Sequence, residues 1–199
     1  NKVLNLTEQS VFLAASTHPG EEGAVLEAYQ HLLAPYPSLI LILAPRHPER
    51  AEEIGRLLAQ RGLGFQRWSC LKNGQESRRE PVVVIDTIGD LMNLYGVADL
   101  AFVGGSLIPH GGQNILEPAA WGIAPLYGPH ISNFFWARDI LEAAGAGLMV
   151  RDAASLAGQA RNLLDHPELR RDLGARALAS LTPHQGAAKR QAKLIAQLI

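Results

Sequence analysis

Several short polar stretches of this 199-residue chain bring together cations, glycine pairs and carboxylates, the groups that hold phosphates and sugars. The most informative runs from Gly104 to Pro118: Gly104-Gly105-Ser106-Leu107, then Gly111-Gly112-Gln113-Asn114-Ile115-Leu116-Glu117-Pro118. Paired glycines permit positive φ and let a ligand approach the backbone closely. The free N–H groups of a helix opening after Asn114 favour a phosphate, and Pro118 places Glu117 in or beside the first turn. Asn114 and Glu117, three residues apart, share one side of such a turn. Two roles fit that pair: a carboxylate accepting hydrogen bonds from both hydroxyls of a ribose, or a capping box.

Arg46 directly follows an apolar run, which sets a permanent cation at its end. Its planar fork suits phosphate, and the alternative is a surface ion pair with Glu49 or Glu52. His18, between another apolar run and Pro19, is placed to donate to a phosphate or an acidic sugar. Glu21, Glu22, Asp86 and Asp90 are of the right type for general bases, although loop carboxylates are more often simply solvated. The seven histidines show no HxH or HExxH spacing, and His18, His47, His110 and His130 fall on separate loops, so no metal site and no cofactor are expected. Cys70 is the single cysteine, read as a neutral thiol. GxSxG, Walker and GxGxxG patterns are missing, which withdraws support from hydrolase, NTPase and dinucleotide-dehydrogenase chemistry. Lys plus Arg number 18 against 19 for Asp plus Glu, without the basic excess a nucleic-acid partner needs. Sugar nucleotides are the natural ligand class that remains.

The elements that must position these residues are legible as alternation. Continuous apolar runs predict strands at Val11–Ala15, Leu39–Ala44, Gly64–Trp68, Val82–Ile85, Leu100–Val103, Ala124–Leu126 and Leu148–Val150. Helical patterns fall at Glu21–Leu33, Pro48–Arg61, Asp90–Val97, after Asn114, and at Phe134–Ala144, Asp152–Asp165, Pro167–Leu181 and Gly186–Leu198. The polar stretch Lys72–Pro81 reads as a mobile surface connection. Such alternation predicts one α/β domain over residues 1–199, a doubly wound parallel sheet of Rossmann-like kind. Ligands of such sheets bind outside the carboxyl ends of the strands, where the polar loops above all collect. The longest apolar run, Leu39–Ala44, is far short of the roughly 20 residues of a membrane span.

The motifs together resemble one family. Ala101-Phe102-Val103-Gly104-Gly105-Ser106-Leu107, the stretch Gly111 to Pro118, and Gly128-Pro129-His130 with Asn133-Phe134 are similar to segments of the bacterial 3-deoxy-D-manno-octulosonic acid (Kdo) transferases. So are Ser16-Thr17-His18-Pro19-Gly20-Glu21, Pro45-Arg46-His47-Pro48-Glu49-Arg50 and Asp86-Thr87-Ile88-Gly89-Asp90-Leu91, in the right order from Val11 to the last helix. The resemblance implies the C-terminal, donor-binding domain of a GT-B glycosyltransferase. The implied reaction moves Kdo from CMP-Kdo to a lipid A precursor in lipopolysaccharide synthesis, with inversion and without a catalytic metal, at the cytoplasmic face of the inner membrane. It also implies CMP contacts from Pro45 and Arg46, from Ile88, Gly89 and Asp90, and from Gly111, Gly112, Asn114, Ile115, Leu116 and Glu117. By the same resemblance His18 approaches the donor's acidic groups. Two residues depart from the family: Gln113 stands where many members have histidine, and Asp90 where many have glutamate. The family's acceptor-activating glutamate belongs to an N-terminal domain and has no counterpart in this chain, which starts at Asn1 as a piece of a longer protein would. The piece is expected to be soluble, to bind CMP weakly and to transfer nothing alone. The helix Gly186–Leu198 either crosses back to that other domain or lies on the surface as an ordinary amphipathic helix, its basic residues also suiting an anionic membrane. A UDP-sugar epimerase-like domain and a noncatalytic nucleotide-binding module are the alternatives.

Overall fold

The computed structural model describes residues 3–184 together with Gly186, Ile195 and Ala196. Apart from those last three residues, the helix expected over Gly186–Leu198 lies outside the described residues. The chain runs β1 (Val11–Thr17), α1 (Glu22–Leu33), β2 (Ile40–Pro45), α2 (Ala51–Gln60), β3 (Phe65–Arg67), α3 (Trp68–Lys72), β4 (Val82–Val84), α4 (Leu91–Tyr95) and β5 (Leu100–Val103). It continues with α5 (Leu116–Ala120), β6 (Pro125–Tyr127), α6 (Phe135–Ala143), β7 (Leu148–Met149), α7 (Ala153–Asp165) and α8 (Pro167–Leu181). All strand pairs are parallel, in the order β3-β4-β2-β1-β5-β6-β7. Phe12 of β1 lies opposite Leu41 of β2 on one side and Leu100 of β5 on the other.

The apolar runs are continuous because both faces of the sheet are covered. Phe12, Ala14, Leu41, Leu43 and Phe102 pack under Tyr29 of α1, Leu58 of α2 and Leu163 of α7. Their neighbours Leu13, Ala15, Ile42, Val83 and Ala101 point the other way, toward Trp68 of α3 and Leu94 and Tyr95 of α4. Beyond β5 a third cluster joins Val103 and Tyr127 to Ile115, Leu141 and Ala177. Each fully buried large side chain contributes about 1.5–3 kcal/mol relative to exposure, so the central strands anchor everything that hangs from their ends.

Three stretches differ from expectation. Trp68 does not extend β3; it opens α3, where its ring is buried over the sheet. The expected helix Pro48–Arg61 begins as a 3₁₀ turn, Pro48–Arg50, before α2. The stretch Lys72–Pro81 is not a loose connection: Gln66 accepts hydrogen bonds from the Arg79 and Glu80 amides and donates to Glu76 and the Ser77 carbonyl. Arg78 donates to the Leu4 carbonyl as well.

Helix α8 reaches α5 through glycine. A Cβ built on Gly174 stands 1.9 Å from the Gly122 carbonyl oxygen, which no flexible side chain can relieve. Gly174→Ala is therefore expected to lower the thermal midpoint by about 2–12 °C, from about 1–3 kcal/mol of overpacking at about 2–4 °C per kcal/mol. Thermal denaturation followed by circular dichroism checks this, and an unchanged midpoint refutes the close approach.

Candidate functional site: the crevice at the switch point

The chain leaves β1 for β2 on one side and returns from β4 to β5 on the other, so the carboxyl ends of β1 and β5 flank the point where the winding reverses. Two loops meet there, residues 16–21 and 104–107. They are held together by Glu21, whose side chain is fully buried. Its carboxylate accepts hydrogen bonds from the amides of His18 (2.9 Å), Gly105 (2.6 Å), Ser106 (2.9 Å) and Leu107 (2.9 Å). Gly104 donates its amide to the Ala15 carbonyl at 2.8 Å. The first glycine pair thus offers no phosphate cradle, because an internal anion already fills it. Glu21 is not a solvated loop carboxylate, and its partners bar it from service as a base.

Glu22, Asp86 and Asp90 are likewise engaged. Glu22 is buried and pairs with Arg50 at 2.6 Å, with the Thr17 hydroxyl 3.1 Å away. Asp86 accepts from the Ser69 amide and hydroxyl. Asp90 accepts from Lys72 at 2.7 Å and Thr87 at 2.6 Å. Burial pushes the Asp90 carboxyl up, but hydrogen bonds from Lys72 and Thr87, with a smaller contribution from Trp68, hold it below the ordinary carboxylate range. The Trp68 indole N–H nevertheless has no hydrogen-bonded partner by distance and angle. Asp90 therefore braces the turn before α4 rather than presenting a free carboxylate to a ligand.

The second glycine pair is also required by packing. A Cβ on Gly111 would stand 2.4 Å from the Asn133 amide, and one on Gly112 would stand 2.2 Å from Ile131. The helix that follows has only five residues, so its dipole is slight. Ile115, one of the expected contact residues, is fully buried, backbone and side chain alike. Asn114, just before the N-cap Ile115, accepts from the Leu116 amide at 3.2 Å, while Glu117 lies 3.5 Å from the Asn114 side-chain nitrogen and completes no capping box. Burial raises the Glu117 carboxyl above its ordinary value, with Asn114 and the charge of Arg46 pulling the other way.

Pro45, Arg46, Ile88 and Gly89 do converge. They line one cavity of about 270 Å³ with Ser16, His47, Thr87 and Leu91. Ile88 is 89% exposed on its rim, an apolar surface offered to a flat ligand. Gly89, at φ +91°, has nothing within 4 Å of where a Cβ would stand, so the approach to its backbone is open. Ser16 adopts φ +52° at the bulge ending β1, a strained conformation worth about 1–3 kcal/mol at the cavity wall. Among the described residues Arg46 makes no ion pair with Glu49 or Glu52, so the surface-pair alternative is withdrawn. Its charge reaches both His18 and Glu117. Asn114, Leu116 and Glu117 lie outside the cavity wall, and Gly111 instead lines a neighbouring cavity of about 450 Å³ with His110, His130, Phe135 and Arg138.

Sequence reasoning missed a group that bridges the two cavities. The buried ring of His18 lies 3.9 Å from the ring of His110 and 6.2 Å from that of His47, centroid to centroid. The side-chain nitrogen of Gln113 is 3.1 Å from His18 Nε2. No local spacing pairs these residues; only their shared position after β1, β2 and β5 does. Among the described residues no three His, Cys, Asp or Glu side chains are arranged to hold a metal ion.

A seven-stranded parallel sheet with helices on both faces and an open crevice at its switch point has the architecture of the C-terminal domain of a GT-B glycosyltransferase. The domain matches the solved C-terminal CMP-Kdo binding domain of WaaA from Acinetobacter baumannii with a TM-score of 0.82 and 32% identity, covering 89% of this chain and 92% of that one. The chain belongs to the 3-deoxy-D-manno-octulosonic acid transferase family and corresponds to its C-terminal domain. The transferase of Haemophilus influenzae is 38% identical over 191 residues, spanning 94% of this chain. That of Bordetella pertussis is 36% identical over 187 residues. The chain spans 44% of the length of each of these two relatives. No family model matches the chain.

Two outcomes follow for the carboxylates. Glu21→Ala strands four amide donors and is expected to cost about 3 kcal/mol or more in urea denaturation; a loss under about 1 kcal/mol contradicts the clamp. For Glu117 the folded pKa lies above the unfolded one, so its ionisation opposes folding above that pKa and not below the unfolded value. Glu117→Gln should therefore raise the melting temperature at neutral pH, with the gain vanishing as pH falls through the raised pKa; a gain that persists in acid contradicts this.

Proposed function

We propose that this chain is the donor-binding domain of an enzyme that moves Kdo from CMP-Kdo to a lipid A precursor. The observation that carries it is the convergence of Pro45, unpaired Arg46, Ile88 and Gly89 on one crevice. The nucleobase packs against Pro45 and Ile88, with the open backbone at Gly89 beside it. Arg46 holds the phosphate, and Glu117, at the margin, accepts from the ribose hydroxyls. Asp90 supports the turn that carries Ile88 and Gly89. In transfer, an acceptor hydroxyl forms the new bond to the anomeric carbon as the carbon–oxygen bond to CMP breaks. Arg46 stabilises the charge gathering on the departing phosphate. The base that takes the hydroxyl proton belongs to an N-terminal half, as does the grip on the acceptor, so the domain alone binds nucleotide without transferring. Neither a metal nor a cofactor enters this scheme.

The acceptor is an amphiphile, which places the whole enzyme at the cytoplasmic face of the bacterial inner membrane. Among the described residues no helix is long and apolar enough to cross a membrane.

Titration calorimetry with CMP, UDP and CMP-Kdo tests the reading. CMP and CMP-Kdo should bind in preference to UDP; a preference for UDP would indicate an epimerase-like ligand, and no binding to any of them a noncatalytic module. Arg46→Ala should weaken CMP by about tenfold or more, the loss of a charge-assisted contact of about 1.5–3 kcal/mol. Its side chain is exposed, so the melting temperature should not move. Unchanged affinity removes Arg46 from the site.

A further inference from the structure

His18, His47 and His110 come from the loops after β1, β2 and β5 and meet between the two cavities. His47 opens onto the Arg46 cavity, His110 onto its neighbour, and His18 is buried between them. The charged groups around His18 are Arg46 and, with opposite sign, Glu22; Glu21 is committed to the loop amides, the His18 N–H among them. Glu49 lies 3.4 Å from His47. Gln113, on the fourth side of His18, hydrogen-bonds without titrating. The His18 imidazole, with two further imidazoles and a guanidinium close by, resists protonation in the free chain, and an entering anion opposes that effect.

We propose that these three histidines form an oxyanion subsite beside Arg46, which takes an oxygen of the donor's phosphate and gains a proton as it does so. The inference rests on the donor-site reading above and adds a proton to it. Burial, then His110 and His47, hold the His18 imidazole below its ordinary value, with Glu22 opposing and Arg46 assisting. A phosphate oxygen alongside favours the imidazolium, so the His18 pKa rises on binding. Between the free and bound values the complex holds more protons than its parts, and affinity therefore increases as pH falls. The phosphate's own second ionisation, near about pH 6, acts in the opposite sense, so the readout is taken above it.

The experiment is calorimetry of CMP binding to the chain from about pH 8 to about pH 6.5, in buffers of different ionisation enthalpy, with cytidine as the ligand lacking phosphate. CMP should bind about fivefold tighter at the lower pH with net proton uptake, and cytidine should show neither. Imidazole resonances of the unmodified chain should place the shifted titration on His18, and His18→Gln should abolish the uptake. CMP binding without proton uptake, or with no movement in the His18 titration, overturns the subsite and leaves the donor site standing. Failure of CMP to bind at any pH overturns both.

Discussion

The crevice depends on one buried charge. Taking the Glu21 carboxylate out of water costs several kcal/mol unless its lone pairs are met, and four backbone amides meet them. Three of those amides lie more than eighty positions away in sequence, so the anion fastens the loop after β1 to the loop after β5 across the switch point. This has a consequence for recognition. A glycine turn with free amides is a phosphate cradle; with Glu21 inside, it has become scaffold. In the proposed donor site a side chain takes over the phosphate instead, and Arg46, at the end of the next strand over, lines the crevice.

The scaffold is tight wherever loops cross. A Cβ on Gly104 would stand 2.5 Å from the Ser16 carbonyl oxygen, and one on Gly128 would stand 2.1 Å from that of Ser106. The Ser106 hydroxyl accepts from the Gly128 amide at 2.8 Å and donates to the Val103 carbonyl. The loops after β1, β5 and β6 thus interlock as backbone against backbone, with no side chain to relax. Arg46, Ile88 and Gly89 are exposed beside this rigid block, and the strain of Ser16 at φ +52° is held by it. Fixed loops with a few exposed contact groups give a site that needs little reordering to bind.

Much of the fold was legible because buried parallel strands write themselves as apolar runs. All seven strands lie where those runs predict, within a residue or two at their ends. Trp68 was misplaced because a β-prone aromatic at the end of a short run does not reveal that the chain is about to turn helical. The site was legible in part. That Arg46, Ile88 and Gly89 share one crevice was foreshadowed by the place of Arg46 after a strand and by the resemblance of Ile88 and Gly89 to a known motif. What local pattern could not tell was whether a loop carboxylate is solvated or consumed. Glu21, Glu22, Asp86 and Asp90 look alike in sequence, yet each finds partners on another element, and those partners are set by topology. The histidine cluster was hidden for the same reason, since three loops had to be brought together before the rings could meet.

The distribution of acidic partners explains why Arg46 is available. Glu22, a buried acid, is neutralised by Arg50 at 2.6 Å, and Arg50 also takes Glu53 at 2.9 Å. Glu49 turns to His47 instead. Had Arg46 been paired with any of these, a phosphate would have to displace a carboxylate before gaining its own contact, and the net gain would be small. With Glu22, Glu49 and Glu53 otherwise occupied, the guanidinium is open to an incoming anion, and its field falls on Glu117 and His18. Arg50 and Arg46, four residues apart, thus differ in kind: one removes an internal charge, and the other faces the crevice without an ion pair among the described residues.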